Sequence, residues 1–273
     1  MNLFKILQKI GDVKTTGSES QTRLESIFNF GKIGKDIALA AVPLTILASL
    51  PKTTSAKSSS AITDVLNFAL TLEFLEASYY TQGVASGVIP ASDLAIFTQI
   101  KKHEISHVAF LQSAINSLGG TPVTSPTFDF TANGAFNPFS VYAEFLALAQ
   151  AFEDTGVRAY KGQAGNLISN NDVLTAALQI HSVEARHASE VRRLRNKNGL
   201  DSTAKGWITG NSRGTLPAAT QAIYDGATSE GNTVQGGVDI TSITTLSVDA
   251  ITEAFDEPLT DTETLAIASL FIV

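Results

Sequence analysis

Four pairs of polar residues stand 80 positions apart in this chain: Glu73 with Glu153, Tyr80 with Tyr160, Glu104 with Glu184, and His107 with His187. The last two pairs form Glu-x-x-His, "EISH" at 104–107 and "EARH" at 184–187. On a helix, positions i and i+3 lie about 60° apart, so each motif offers an oxygen and a nitrogen to one centre. Glu and Tyr at i and i+7 lie almost in line, about 10 Å apart along the axis, so each tyrosine can reach past its own glutamate to a neighbouring helix. Four carboxylates and two imidazoles gathered in a helix bundle would repel one another and lose their hydration. Two divalent metal ions would offset both costs. The chain has no cysteine, which excludes thiolate sites, disulfides and a cysteine nucleophile, so any metal must be held by histidine and carboxylate. Those donors suit Fe or Mn, whereas an all-oxygen shell would suit Mg or Ca better.

A lone Glu-x-x-His is usually a solvated helix face, and the shared register is what separates these two from that reading. It also sorts their neighbours. Glu76 is matched by Gly156, Asp154 by Phe74 and Glu144 by Asp64, so all three acids are read as non-ligands. His103 and His181 are matched by Val183 and Lys101, and are read as capped or solvent-facing histidines, with a supporting role left open for His181 one turn before Glu184. Tyr80 is expected to bond the carboxylate of Glu153, and Tyr160 that of Glu73, fixing their orientation. Arg192, Arg193, Arg195 and Lys197 complement a helix C-terminus and are read as its exposed, solvated end.

Hydrophobic spacing defines the elements that must position these residues. The stretch "AITDVLNFALTLEFLEASYYTQG" predicts a first helix from residue 61 with Gly83 as its stop, and a second runs from Ser92 or Asp93 to Leu118. A long connection, "GGTPVTSPTFDFTANGAF", crosses to Asn137-Pro138, where Asn can cap a third helix and Pro can take its first position. That helix is expected to end near Gly165, and a fourth to run from Asn171 or Asp172 to Asn198, with Gly199 as its stop. The fold class is therefore all-α: a four-helix bundle over 61–200 with a long crossover between helices two and three.

Residues 1–60 form an N-terminal extension. Its apolar run from Ile37 to Leu50 is too short to span a bilayer comfortably but matches a signal-peptide core, so an exported and a cytoplasmic chain both stay open. Residues 201–273 form a C-terminal tail, irregular and rich in Gly, Thr and Ser up to 246, with Trp207 as an expected anchor. A capping box of Thr260 with Glu263 then predicts a short final helix. No transmembrane helix is expected, and a net charge of −7 gives no general attraction to nucleic acid.

One Glu on each of two helices, with Glu-x-x-His on each of the other two, resembles the ferritin-like di-iron or di-manganese carboxylate proteins, which are generally described by that ligand set. The stretches "LNFALTLEFLEASYY", "HEISHVAFLQ", "AFEDTGVRAYKGQ", "IHSVEARHASEVRRLR" and "EAFDEPLT" are similar to one branch, the bacterial ferritin-like domain proteins related to plant desiccation-related proteins. The resemblance implies a ferritin-like bundle with Glu73, Glu104, His107, Glu153, Glu184 and His187 as ligands to two Fe or two Mn ions, Glu104 and Glu184 bridging. The activity it implies is a redox centre reacting with dioxygen or peroxide in stress protection, as an oxidase, a ferroxidase or a manganese-catalase-like oxidoreductase. The alternative is a non-enzymatic stress- or desiccation-related structural protein whose metal site is structural or vestigial. A homo-oligomer is compatible with these features, while the N-terminal extension and the long tail argue against a ferritin cage.

Overall fold

The computed structural model describes residues 59–273; the signal-like run at 37–50 lies outside the described residues. Four long helices make the bundle: α1 (Ser59–Ser86), α2 (Ala91–Ser117), α3 (Tyr142–Ala164) and α4 (Asn171–Lys197). α1 packs chiefly on α2 and α3 chiefly on α4, with residues 118–141 crossing between the pairs. This is the expected all-α bundle. Among the described residues, no helix is long and apolar enough to cross a membrane.

Two helix ends differ from expectation. α1 runs through Gly83 to Ser86, and Gly87, with φ of +79°, ends it. Gly83 instead lets the Phe145 ring approach, since a Cβ there would stand 2.3 Å from its Cε2. Asn137-Pro138 does not open α3. The chain makes a turn there, with the Ser140 and Val141 amides donating to the Asn137 carbonyl, and the helix begins at Tyr142. The Glu144 side chain reaches back to accept from the Asn137 amide at 2.5 Å.

Every residue of α3 from Phe145 to Tyr160 is buried, although the run contains Gln150, Glu153, Asp154 and Arg158. A helix covered on all sides is ordinarily apolar all round, so each of these polar groups needs a partner. An aromatic cluster fills one end of the core: Tyr79 lies 5.0–5.1 Å, centroid to centroid, from Phe130, Phe145 and Phe152. Phe130 comes from the crossover, which is tied to the C-terminus where Asp129 donates its amide to the Phe271 carbonyl at 2.9 Å.

The tail covers the other side of α3. It carries three short helices, α5 (Gln221–Asp225), α6 (Val248–Thr252) and α7 (Asp261–Ala268), and one two-stranded hairpin, β1 (Val234–Gln235) with β2 (Val238–Asp239). The capping box of Thr260 and Glu263 opens α7 as expected. Ile208, Leu216, Ile223 and Tyr224 bury themselves against Ala147 and Ala151 of α3. Trp207 is not the anchor, because it remains 47% exposed.

Polar contacts do most of the fastening. The fully buried Arg158 donates to the carbonyls of Ile223, Thr228, Glu257 and Pro258, and pairs with Glu230 at 2.7 Å. Asp154 accepts two bonds from Arg192, at 3.0 and 2.5 Å, and one from Tyr224 at 2.6 Å. Arg195 donates to Gln150 at 2.5 Å and to Thr215 at 2.8 Å. The basic run at the end of α4 is therefore not a wholly exposed face. Arg192 and Arg195 point inward because α3 and the tail hold acceptors for them, while Arg193 and Lys197 stay at the surface.

Asp93, near the start of α2, ties three helix ends together by accepting from Lys197 and Tyr142 at 2.8 Å each. Burial alone would raise its carboxyl, but hydrogen bonds from Lys197, Tyr142, Ser92 and Asn198 outweigh it and hold it below the usual aspartate range.

Two predictions follow from these ties. A Cβ at Gly162 would stand 1.9 Å from the Leu259 carbonyl oxygen, so Gly162→Ala should lift the tail from α3 and cost about 1–3 kcal/mol, read by urea unfolding. Because the Asp93 pKa is lower folded than unfolded, its contribution is complete above the unfolded value of about 4 and disappears as pH falls through the folded one. The stability gap between wild type and Asp93→Asn should accordingly be wide at neutral pH and narrow as the pH falls below the unfolded value of about 4.

Candidate metal centre

Each long helix contributes to one buried cluster: Glu73 from α1, Glu104 and His107 from α2, Glu153 from α3, Glu184 and His187 from α4. The four glutamates are fully buried, and the His107 side chain is 12% exposed. All six positions that the 80-residue register singled out are brought together. They fall into two overlapping groups, Glu73–Glu104–His107–Glu184 and Glu104–Glu153–Glu184–His187, in each of which the donor atoms lie within 4.8 Å of one another.

The atoms divide between the groups in an orderly way. His107 Nδ1 faces Glu73 Oε2 at 3.2 Å, Glu104 Oε2 at 3.1 Å and Glu184 Oε1 at 3.2 Å. His187 Nδ1 faces Glu104 Oε1 at 2.9 Å, Glu153 Oε2 at 3.3 Å and Glu184 Oε2 at 3.9 Å. Glu104 and Glu184 thus turn one oxygen to each histidine, the disposition of bridging carboxylates, while Glu73 and Glu153 serve one side each. Tyr80 donates to Glu153 Oε1 at 2.5 Å and Tyr160 donates to Glu73 Oε1. The outer oxygen of each terminal glutamate is occupied, and the inner one is left to face the cluster.

Hydrogen atoms cannot satisfy this arrangement. A single Nδ1–H of His107 meets three carboxylate oxygens at nearly equal distance, and it can align with no more than one or two of them. Among the described residues, Glu104 Oε1, Glu153 Oε2, both oxygens of Glu184 and His187 Nδ1 have no hydrogen-bond partner; the 2.9 Å approach of His187 to Glu104 is close but not aligned. Buried polar atoms are ordinarily paired, so inward-facing orphans of this number fit a site built for cations. The electrostatics agree. Burial pushes Glu73 up to about 7 and Glu184 upward as well, with neighbouring carboxylates adding to both. Burial would lower His187, but Glu153 and Glu104 outweigh it and push it up to about 11; His107 is raised in the same way by Glu73, Glu104 and Glu184. The imidazoles therefore hold protons where the carboxylates call for positive charge, and two transition-metal ions would replace those protons with charge of the right sign.

The neighbours sort differently from expectation in one case. His103 lies outside both groups, yet its Nδ1 is 2.8 Å from Nε2 of His187, the rings stack at 5.1 Å, and its own Nε2 is 2.7 Å from Gln99. It holds the outward nitrogen of a cluster histidine. The register could not reveal this, because the matching position is Val183 and, among the described residues, no side chain holds His107 in the same way. His181 makes no hydrogen bond to the cluster among the described residues. Asp154 and Glu144 are engaged elsewhere, by Arg192 and by the Asn137 amide. Glu76 is buried beside the cluster, and burial together with Glu184 and Glu153 pushes its carboxyl well up.

A family model described as ferritin-like domain matches residues 61–197, the span from the start of α1 to the end of α4. No curated protein matches the chain.

The tyrosine contacts give a test that needs no metal. Tyr160→Phe removes the donor to the buried Glu73 and should cost about 1.5–3 kcal/mol in chelator-treated protein, measured by urea unfolding. Tyr79→Phe, which loses a bond to the Phe145 carbonyl, should cost less, about 1 kcal/mol.

Proposed function

Because the chain belongs to the ferritin-like domain family, we propose that its buried glutamate–histidine cluster is a two-metal redox centre, holding Fe or Mn and reacting with dioxygen or peroxide. The observation that carries this reading is the set of orphaned inner atoms on Glu104, Glu153, Glu184 and His187, in a cluster where both histidines turn Nδ1 to the carboxylates. Glu73, Glu104, His107 and Glu184 would hold one ion; Glu104, Glu153, Glu184 and His187 would hold the other. When bound, such ions supply electron transfer between divalent and trivalent states, which neither glutamate nor histidine can perform.

The chain's own part is to bind, orient and exclude water. Tyr80 and Tyr160 fix the terminal glutamates by their outer oxygens, so that the inner oxygens stay turned to the centre. His103 holds the ring of His187 through Nε2 and leaves Nδ1 directed inward. Four carboxylates match the charge of two divalent ions, which suits a site filled from the reduced forms of either metal. Complete burial of the glutamates keeps bulk water from competing for the inner atoms. The resemblance to desiccation-related proteins supports a role in stress protection; a structural centre without turnover is the competing reading, and the same experiment distinguishes them.

His187→Ala should lose about one metal equivalent per chain while staying folded and helical; Glu104→Ala, which removes the oxygens facing both histidines, should lose both. Elemental analysis after reconstitution with Fe(II) or Mn(II) reads the stoichiometry, and oxygen-electrode and peroxide assays read turnover. Wild-type protein that takes up neither metal would sink the proposal, and uptake without turnover would leave a structural centre.

A further inference from the structure

The repeat that pairs the cluster residues fails at one place beside them. Glu76 and Gly156 occupy matching positions 80 residues apart, three residues after Glu73 and Glu153 respectively. A Cβ on Gly156 would stand 3.2 Å from Glu76 Oε1 and 3.4 Å from Glu184 Oε2. The position that a Cβ on α3 would take is thus bordered by two carboxylates, and a side chain there would press the Glu76 oxygen back by a few tenths of an ångström.

Glu76 gains nothing visible from this position. It is 3% exposed and makes no hydrogen bond among the described residues. It borders a narrow crevice walled mainly by Leu72, Leu75, Phe152 and Ile267, and the hydroxyl there, on Thr155, donates to the Ala151 carbonyl instead. Burying a carboxyl without a partner is costly, so its direction needs a cause. The other oxygen bordering the Gly156 position, Glu184 Oε2, is itself an orphan among the described residues and is the one turned to His187 rather than His107.

We propose that Glu76 is a fifth carboxylate donor, serving the metal position formed by Glu153, Glu184 and His187 and making the two positions unequal. The inference rests on the metal reading given above. Four glutamates balance two divalent ions, and a fifth on one side favours the ion of higher charge or higher coordination number there. Gly156 is the second half of the device: its missing side chain is the space through which Glu76 reaches the His187 side.

The test uses the full-length chain and Co(II), whose visible absorption strengthens as its coordination number falls. In wild type, two equivalents should bind. In Glu76→Gln, one of them should bind about tenfold more weakly and its visible bands should intensify, while the other is unchanged. Gly156→Ala, which narrows the approach while leaving all five glutamates unsubstituted, should weaken the same equivalent. Should Glu76→Gln not fold by circular dichroism, Glu76→Asp, with its shorter reach, carries the comparison. Normal wild-type binding with affinities and spectra unchanged in the Glu76 variant overturns this inference alone. Wild type that binds no Co(II) overturns the metal reading, and the inference with it.

Discussion

Five glutamates and two histidines share the interior of one bundle, and several of their inward-facing atoms have no hydrogen-bond partner among the described residues. That constraint explains much of the remaining architecture. Carboxylates cannot enter a helix interior singly without a compensating charge, so they enter from four helices at one level, and each needs support on the side away from the centre. The tyrosines supply it for Glu73 and Glu153. Glu104 and Glu184 instead turn both of their oxygens inward, one to each histidine.

α3 shows how far this reaches. Glu153 must point to the cluster, and the next residue, Asp154, consequently points about 100° away around the helix, where an ordinary bundle would meet solvent. Here it meets Arg192 and Tyr224 beneath the tail. Arg158, one turn later, points the same way and is enclosed by tail carbonyls. The central helix is thus polar on two faces, with the cluster satisfying one and the tail the other.

How much of this was legible in the sequence depended on whether a residue's partner was local or repeated. The Glu and His positions could be read because each element of the pattern occurs twice at one spacing, so residues distant in the chain checked one another. The capping box at Thr260–Glu263 was readable because it is local. Gly83 was misread because a glycine within a helix can signal either an end or a close approach, and only the position of Phe145 decides. Arg192 and Arg195 looked like a solvated end because their acceptors lie on α3 and in irregular tail segments that no periodicity locates. His103 was set aside for the very feature that makes it informative: it breaks the twofold pattern, and the register has no rule for its own exceptions.

The guanidinium of Arg158 has a further implication, concerning what counts as one unit of the chain. Its partners lie 65 to 100 residues further on, in segments that have little regular structure of their own. The family match ends at 197, before any of them. Cut at that point, the bundle would keep its cluster residues but would expose the apolar bed of Ala147 and Ala151 and strip a buried cation of every acceptor it has among the described residues. The segment that defines ancestry and the segment that can stand alone are therefore different lengths, and the tail belongs to the second.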